Sequence, residues 1–254
     1  MTNLLRAASN KNWREVNRLI LGGADPAVVD DQELTALHYA AIDGNPELAQ
    51  TLIEHGPAEL VFREAPGGRT SLSYACGKGH LEVTRILTKA GGETLIHKTN
   101  QNCSICLHIA CQKGHLAIAK VLIEAPGGQA LLLKADNFET MCLHKACHPG
   151  HFEVVMSLIE AGGQNLILKA NQYGASCLLP ACQQGHFNIV NALIKAGGLA
   201  LVLKTDKDGI SCLRVACYLE IAMALIAAGA QALIFQTDTK GFSCLHAACG
   251  HGQQ

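Results

Sequence analysis

The sequence predicts an all-α fold, a helical solenoid of helix-turn-helix repeats joined by β-hairpin loops. Three observations predict it. Leu37, Leu72, Leu107, Leu143, Leu178 and Leu213 recur at intervals of 35 or 36 residues, and Leu245 follows after 32. Around each Leu the chain repeats nearly the same words, as in Met141-Cys-Leu-His-Lys-Ala-Cys147. No Pro- or Ser-rich linker and no run of like charges separates the copies. A fixed period of this size marks a stack of one small module, each copy burying its apolar face against the next.

Taken in order, Leu4 to Ser9 and Trp13 to Leu21 form a first helix pair whose Asn12, Arg14, Asn17 and Arg18 face water, as a capping repeat requires. In the repeats that follow, Thr35, Thr70, Ser176, Ser211 and Ser243 stand two places before the Leu, where a hydroxyl oxygen caps the first turn of a helix. Gly44, Gly79, Gly114, Gly150 and Gly185 stop that helix in a left-handed turn. The second helix carries apolar residues at helical spacing, as Phe152, Val155, Leu158 and Ile159 do, which predicts a buried stripe. A Gly-Gly pair such as Gly197-Gly198 closes it. Runs such as Leu201-Val-Leu203 then read as extended arms, and tips such as Asp206-Lys-Asp-Gly209 as hairpin turns. Between 54 and 69 these cues blur, and the hairpin there is expected to be irregular.

The copies resemble ankyrin repeats, whose first helix opens with Thr-Pro-Leu-His-x-Ala-Ala and ends in a Gly-His turn. Thr35-Ala-Leu-His-Tyr-Ala-Ala41 matches most closely, and Gly79-His80, Gly114-His115, Gly150-His151 and Gly185-His186 supply the turn. The resemblance spans essentially the whole chain. Two departures stand out: Cys usually takes the Pro slot, and Cys replaces the second Ala in every copy but the first. The period also exceeds the family's 33, with the excess falling between the Gly-Gly pair and the hairpin. The resemblance implies a curved stack with first helices lining a concave face and hairpins beside them. It implies one ankyrin repeat domain over 1–254: a capping repeat at 1–25, six repeats at 26–240 and a half repeat at 241–254.

The repeat opening at Ser211 has a defect. After Cys182 come Gln-Gln-Gly-His before the next helix, but after Cys217 only Tyr218 precedes Leu219. Three residues, including the Gly-His turn, are missing, so either the turn is cramped or the repeat is partly unfolded. The last copy, from Ser243 to Gly252, ends after its first helix and is expected to leave an apolar face open to a partner.

Chemistry of the chain's own finds little footing. With 20 basic against 21 acidic residues and 4% aromatics, nothing marks a nucleic-acid surface. No apolar run is long enough to span a membrane, and the N-terminus lacks the pattern of a secretory signal. Cys106/Cys111, Cys142/Cys147, Cys177/Cys182, Cys212/Cys217 and Cys244/Cys249 sit five apart, so on a helix their sulfurs point to different sides. A repeat spacing of roughly 10 Å is expected to keep a cysteine ladder from bridging repeats. The cysteines read as small buried residues in a reducing compartment. Zinc is the sharper alternative for Cys106-x-His108-x-x-Cys111, but the His slot is Ser73, Leu179 and Arg214 in other copies. In the family this His bonds to the hydroxyl that opens the helix and to nearby backbone. No cofactor, metal or catalytic set is expected, and the chain is not expected to be an enzyme.

Partner-binding residues should vary between copies while the frame stays fixed. In the family's geometry the groove is lined by Tyr39, Tyr74, Ile109 and Lys145 in one slot, and by Asp43, Lys78 and Lys113 in another. Hairpin tips add Phe138 and Tyr173 as exposed aromatic anchors, with Glu33, Arg69, Asn102 and Lys207 beside them; Cys103 sits at a tip where other repeats have Gly. The expected function is that of a cytoplasmic or nuclear scaffold or adaptor. Its partner would be a protein offering an acidic or amphipathic segment, bound by a monomer whose C-terminal end is open to association. The alternative is a recruiting fragment of a larger enzyme or ligase complex whose catalytic part lies outside this chain.

Overall fold

The computed structural model describes residues 2–229 and 231–251. The Cys249 side chain and the segment after His251 lie outside what it describes, so the Cys244/Cys249 pair and the end of the half repeat receive no structural account. The chain divides into two compact units, Met1–Leu131 and Leu132–Gln254.

The first unit opens with α1 (Asn3–Ser9) and α2 (Trp13–Leu21), followed by α3 (Ala36–Asp43), α4 (Pro46–His55), α5 (Ser71–Lys78), α6 (Leu81–Ile96), α7 (Cys106–Lys113) and α8 (Leu116–Glu124). First helices pack in the order α1, α3, α5, α7, and second helices in the order α2, α4, α6, α8. Leu37, Leu72 and Leu107 are fully buried between them. In the capping pair, Asn12, Arg14 and Arg18 face water as expected, while Asn17 is half-buried.

The second unit repeats the plan with α9 (Cys142–Cys147), α10 (Phe152–Ile167), α11 (Leu178–Gln183), α12 (Phe187–Val202), α13 (Cys212–Val215), α14 (Leu219–Ala227), α15 (Gln231–Ile234) and α16 (Cys244–His251). Here α9, α11, α13 and α16 pack in sequence, and α10, α12 and α14 beside them. Leu143, Leu178 and Leu213 are buried, whereas Leu245 is 59% exposed.

Several local expectations are corrected. The buried stripe of α10 is Val154, Val155 and Leu158. Phe152, at its first turn, is 37% exposed, and Ile159 is half-buried. The Gly-Gly pairs of α6, α10 and α12 break those helices as expected, with a non-helical backbone at Gly92, Gly163 and Gly198, but a short further helix follows each break. At Gly198 the backbone swings to φ 59°, ψ −159°, and one further helical turn follows, burying Leu201 and Val202. Leu201-Val-Leu203 therefore closes a helix rather than forming an extended arm. The two glycines serve different ends. A Cβ on Gly197 would fall 2.6 Å from Cδ2 of Leu201, whereas one on Gly198 would meet nothing within 4 Å, so only its dihedrals demand glycine.

The hairpin loops are shorter than expected. Ala170–Ser176, Thr205–Ser211 and Thr237–Ser243 are single antiparallel bridges. The stretch expected to be irregular holds the one two-stranded sheet among the described residues, Glu64–Ala65 against Arg69–Thr70. Its Pro-Gly-Gly tip suits a tight reversal because both glycines take positive φ. Thr35, Thr70 and Ser211 cap their helices through the side-chain oxygen. Ser176 does not stand at the cap, because α11 begins one residue later and Cys177 takes that position.

Candidate functional site

Every tip except that of the 64–70 hairpin is built on one side chain. Asp30, Asn100, Asp136, Asn171, Asp206 and Asp238 stand five residues before the helix-opening slot, and each Oδ1 accepts two backbone N–H groups across its turn. Asp136, for example, accepts from Phe138 and Thr140 at 2.9 Å each. The sequence displays this acid or amide at a fixed offset, and that regularity was the available signal for the loop. Consecutive tips are also tied by backbone bonds, as from the Gln172 N–H to the Phe138 carbonyl at 2.9 Å. Cys103 is exposed and, like Glu33 and Glu139, adopts the left-handed conformation that Gly174, Gly209 and Gly241 take elsewhere.

Of the groove residues, three are engaged within the chain. Tyr39 is half-buried, and its hydroxyl donates to Asp30 Oδ2 at 2.6 Å. Burial and that carboxylate push the phenol up to about 12. Burial works to raise the Asp30 carboxyl, but bonds from Tyr39, Leu34 and Gln32 outweigh it and hold it below its ordinary value. Asp43 pairs with Lys11 and accepts from the Trp13 indole N–H at 3.0 Å, fastening the capping helices to α3. Lys145 reaches Asp136 Oδ2 at 2.7 Å.

The others are less committed. Tyr74 is half-buried and stands edge-on to His38, with ring centroids 5.8 Å apart. Ile109 is half-buried on α7, while Lys78 and Lys113 are exposed at the C-terminal ends of α5 and α7. Neither lysine forms an ion pair among the described residues. In the first unit, therefore, Tyr39, Tyr74 and Ile109 make a row on the stacked helices α3, α5 and α7, bordered by Asp43, Lys78 and Lys113. In the second unit Phe138 and Tyr173 hold the same place in consecutive tips, 49% and 57% exposed.

The histidines are structural. His38 Nδ1 lies 2.9 Å from the Thr35 hydroxyl and accepts the Thr35 N–H at 3.1 Å. Burial lowers His38 to about 4, and the carbonyls of Arg69 and Arg63, which approach without ordinary hydrogen-bond geometry, offset little of this. His144 departs from the pattern by donating through Nε2 to the Ala175 carbonyl at 3.2 Å; burial also lowers it to about 4. The turn histidines reach backward instead. His80 bonds the Ile42 carbonyl at 3.0 Å and His186 the His148 carbonyl at 3.1 Å.

The described cysteines are free thiols, most of them buried in the repeat slots. Among the described residues no three His, Cys, Asp or Glu side chains gather where they could share a metal ion. No described helix is long and apolar enough to cross a membrane.

Comparison with known proteins accords with this architecture. The family described as ankyrin repeats (3 copies) matches residues 4–99, 59–130, 87–166 and 107–201. Among solved structures, the crystal structure of the human ASB11 ankyrin repeat domain superimposes with a TM-score of 0.73 at 20% sequence identity. The match covers 90% of this chain and 98% of that one, and it speaks for the fold alone. No curated protein matches in sequence. Ankyrin repeats in general are protein–protein interaction modules. On these matches, this chain belongs to the ankyrin repeat family.

Proposed function

We propose that the chain is a scaffold or adaptor that holds an acidic or amphipathic segment of a partner protein on α5 and α7. The observation that carries this reading is the pair Lys78 and Lys113, exposed and outside any ion pair among the described residues, beside half-buried Tyr74 and Ile109. Cations next to a partly covered aromatic and an aliphatic side chain favour a ligand with carboxylates and one apolar face. Asp43 and Lys145 contribute less, because each already has a partner. Phe138 and Tyr173 offer a separate contact in the second unit. The reading assigns no catalysis to the chain and places it in the cytoplasm, where buried thiols stay reduced.

The test is capture from cell lysate with the intact chain and with a Tyr74→Ala, Lys78→Glu, Lys113→Glu bait of unchanged helical spectrum. A partner held by the first bait and lost by the second supports the reading. Identical captures reject this face and turn attention to Phe138 and Tyr173.

A further inference from the structure

One slot of the second helices is apolar and open in the second unit. Phe152, Phe187 and Leu219 each begin their helix, α10, α12 and α14, and are 37%, 36% and 76% exposed. One turn along the same helix faces, Met156 of α10 and Met223 of α14 are 40% and 62% exposed. Phe187 stays exposed although α12 has a packed helix on each side. The first unit fills the corresponding slots differently. There Leu81 and Leu116 are half-buried, and Arg85 and Lys120, which face water, stand where the methionines would. We propose that α10, α12 and α14 form a second docking surface, and that its occupant is a basic amphipathic helix of a partner protein. The inference is independent of the groove on α5 and α7.

Charge is the first reason for this occupant. The three helices carry Glu153, Glu160 and Glu220, all exposed and outside any ion pair among the described residues. Lys195 is the one Lys or Arg on them. An apolar row edged by carboxylates repels an anionic membrane and a second copy of itself, and it attracts lysine or arginine.

Spacing is the second reason. Packed helices lie about 10 Å apart, so the row from Phe152 through Phe187 to Leu219 advances by that interval. Seven residues of α-helix rise about 10 Å and return to the same face. One helix laid across the row therefore meets all three side chains with its residues i, i+7 and i+14. An extended strand covers about 10 Å in three residues, and an odd step turns the next side chain to the opposite face. Apolar residues at i+3 or i+4 of the partner helix reach toward the methionines, whose flexible side chains adapt to them, and basic residues lie alongside.

The experiment titrates the intact chain into a dye-labelled helical peptide of about 18 residues, with Leu at this spacing and Lys elsewhere, and follows fluorescence anisotropy. Binding is expected, and it weakens about tenfold or more in the variant Phe152→Gln, Met156→Lys, Phe187→Gln. Met156→Lys alone, which gives α10 the kind of charge that α6 and α8 carry, produces a smaller loss. A helical spectrum is recorded for each variant. The groove variant Tyr74→Ala, Lys78→Glu, Lys113→Glu binds the peptide as the intact chain does. Absence of binding, or undiminished affinity in a folded Met156→Lys, overturns the proposal. So does equal binding of the same peptide with Glu in place of Lys. Flotation of the chain on vesicles of phosphatidylcholine and phosphatidylserine, abolished by Phe152→Gln with Phe187→Gln, would make the occupant a membrane instead. A dimer in sedimentation that Met156→Lys disperses would make it a second copy.

Discussion

The ring of Tyr218 lies over Gly185. A Cβ at Gly185 would fall 2.6 Å from the ring Cζ, much as one at Gly150 would fall 2.5 Å from Cε1 of His186. The repeat that lost its Gly-His turn thus fills the histidine's place with the residue before α14. The defect is accommodated by a helix cut to one turn and a substitute ring. This predicts that Tyr218→Ala speeds amide exchange in α13 and α14, while Tyr218→His largely restores protection. Gly185→Ala should cost about 2 kcal/mol or more, since φ is 77° and the ring blocks the Cβ. Equal exchange in wild type and Tyr218→Ala would show that the ring covers nothing of consequence.

The capping helices can be watched directly. Trp13 is the chain's one tryptophan, and its indole N–H donates to Asp43. Asp43→Ala should shift its emission to the red and cost about 1 kcal/mol for the lost bond. Asp43→Asn, which keeps an acceptor, should do neither.

Buried neutral histidines make stability fall with acid. His38 and His144 have folded values of about 4 against 6.5 for a free imidazole. Between these limits the unfolded chain binds protons that the folded chain refuses. Their contribution is therefore whole above about 6.5, declines as pH falls toward about 4, and amounts to about 3 kcal/mol each. Urea midpoints at pH 7 and pH 4.5 should show the loss, and His144→Gln should flatten the slope. Imidazole resonances titrating near 6.5 in the folded chain would contradict it.

Asp136 tests the loop design against the ion pair. Its Oδ1 holds two loop N–H groups and its Oδ2 meets Lys145. Asn100 and Asn171 hold their loops without a carboxylate. Asp136→Asn should then cost only about 1 kcal/mol, since Lys145 can reach water. Asp136→Ala should cost about 3 kcal/mol, because it strands both N–H groups as well. Similar losses in chemical unfolding would place the value in the ion pair instead.

The sequence by itself determined the repeat, its buried Leu slot and the family. Each of these is written in local periodicity, because residues three or four apart share a helix face wherever that helix packs. It also displayed the Asp or Asn that organises every tip but that of the 64–70 hairpin, although a polar residue in a turn carries no mark of which N–H groups it will hold. Tertiary structure decided the rest. Asp43 and Lys145 look like free groove charges until Lys11 with Trp13, and Asp136, are folded against them. Such pairings depend on the rise and rotation between stacked repeats, and no local pattern encodes those. The turn after Gly198 was illegible for a related reason: a short Leu-rich run reads equally as strand or helix until packing chooses, and here the burial of Leu201 and Val202 against their neighbours chose helix.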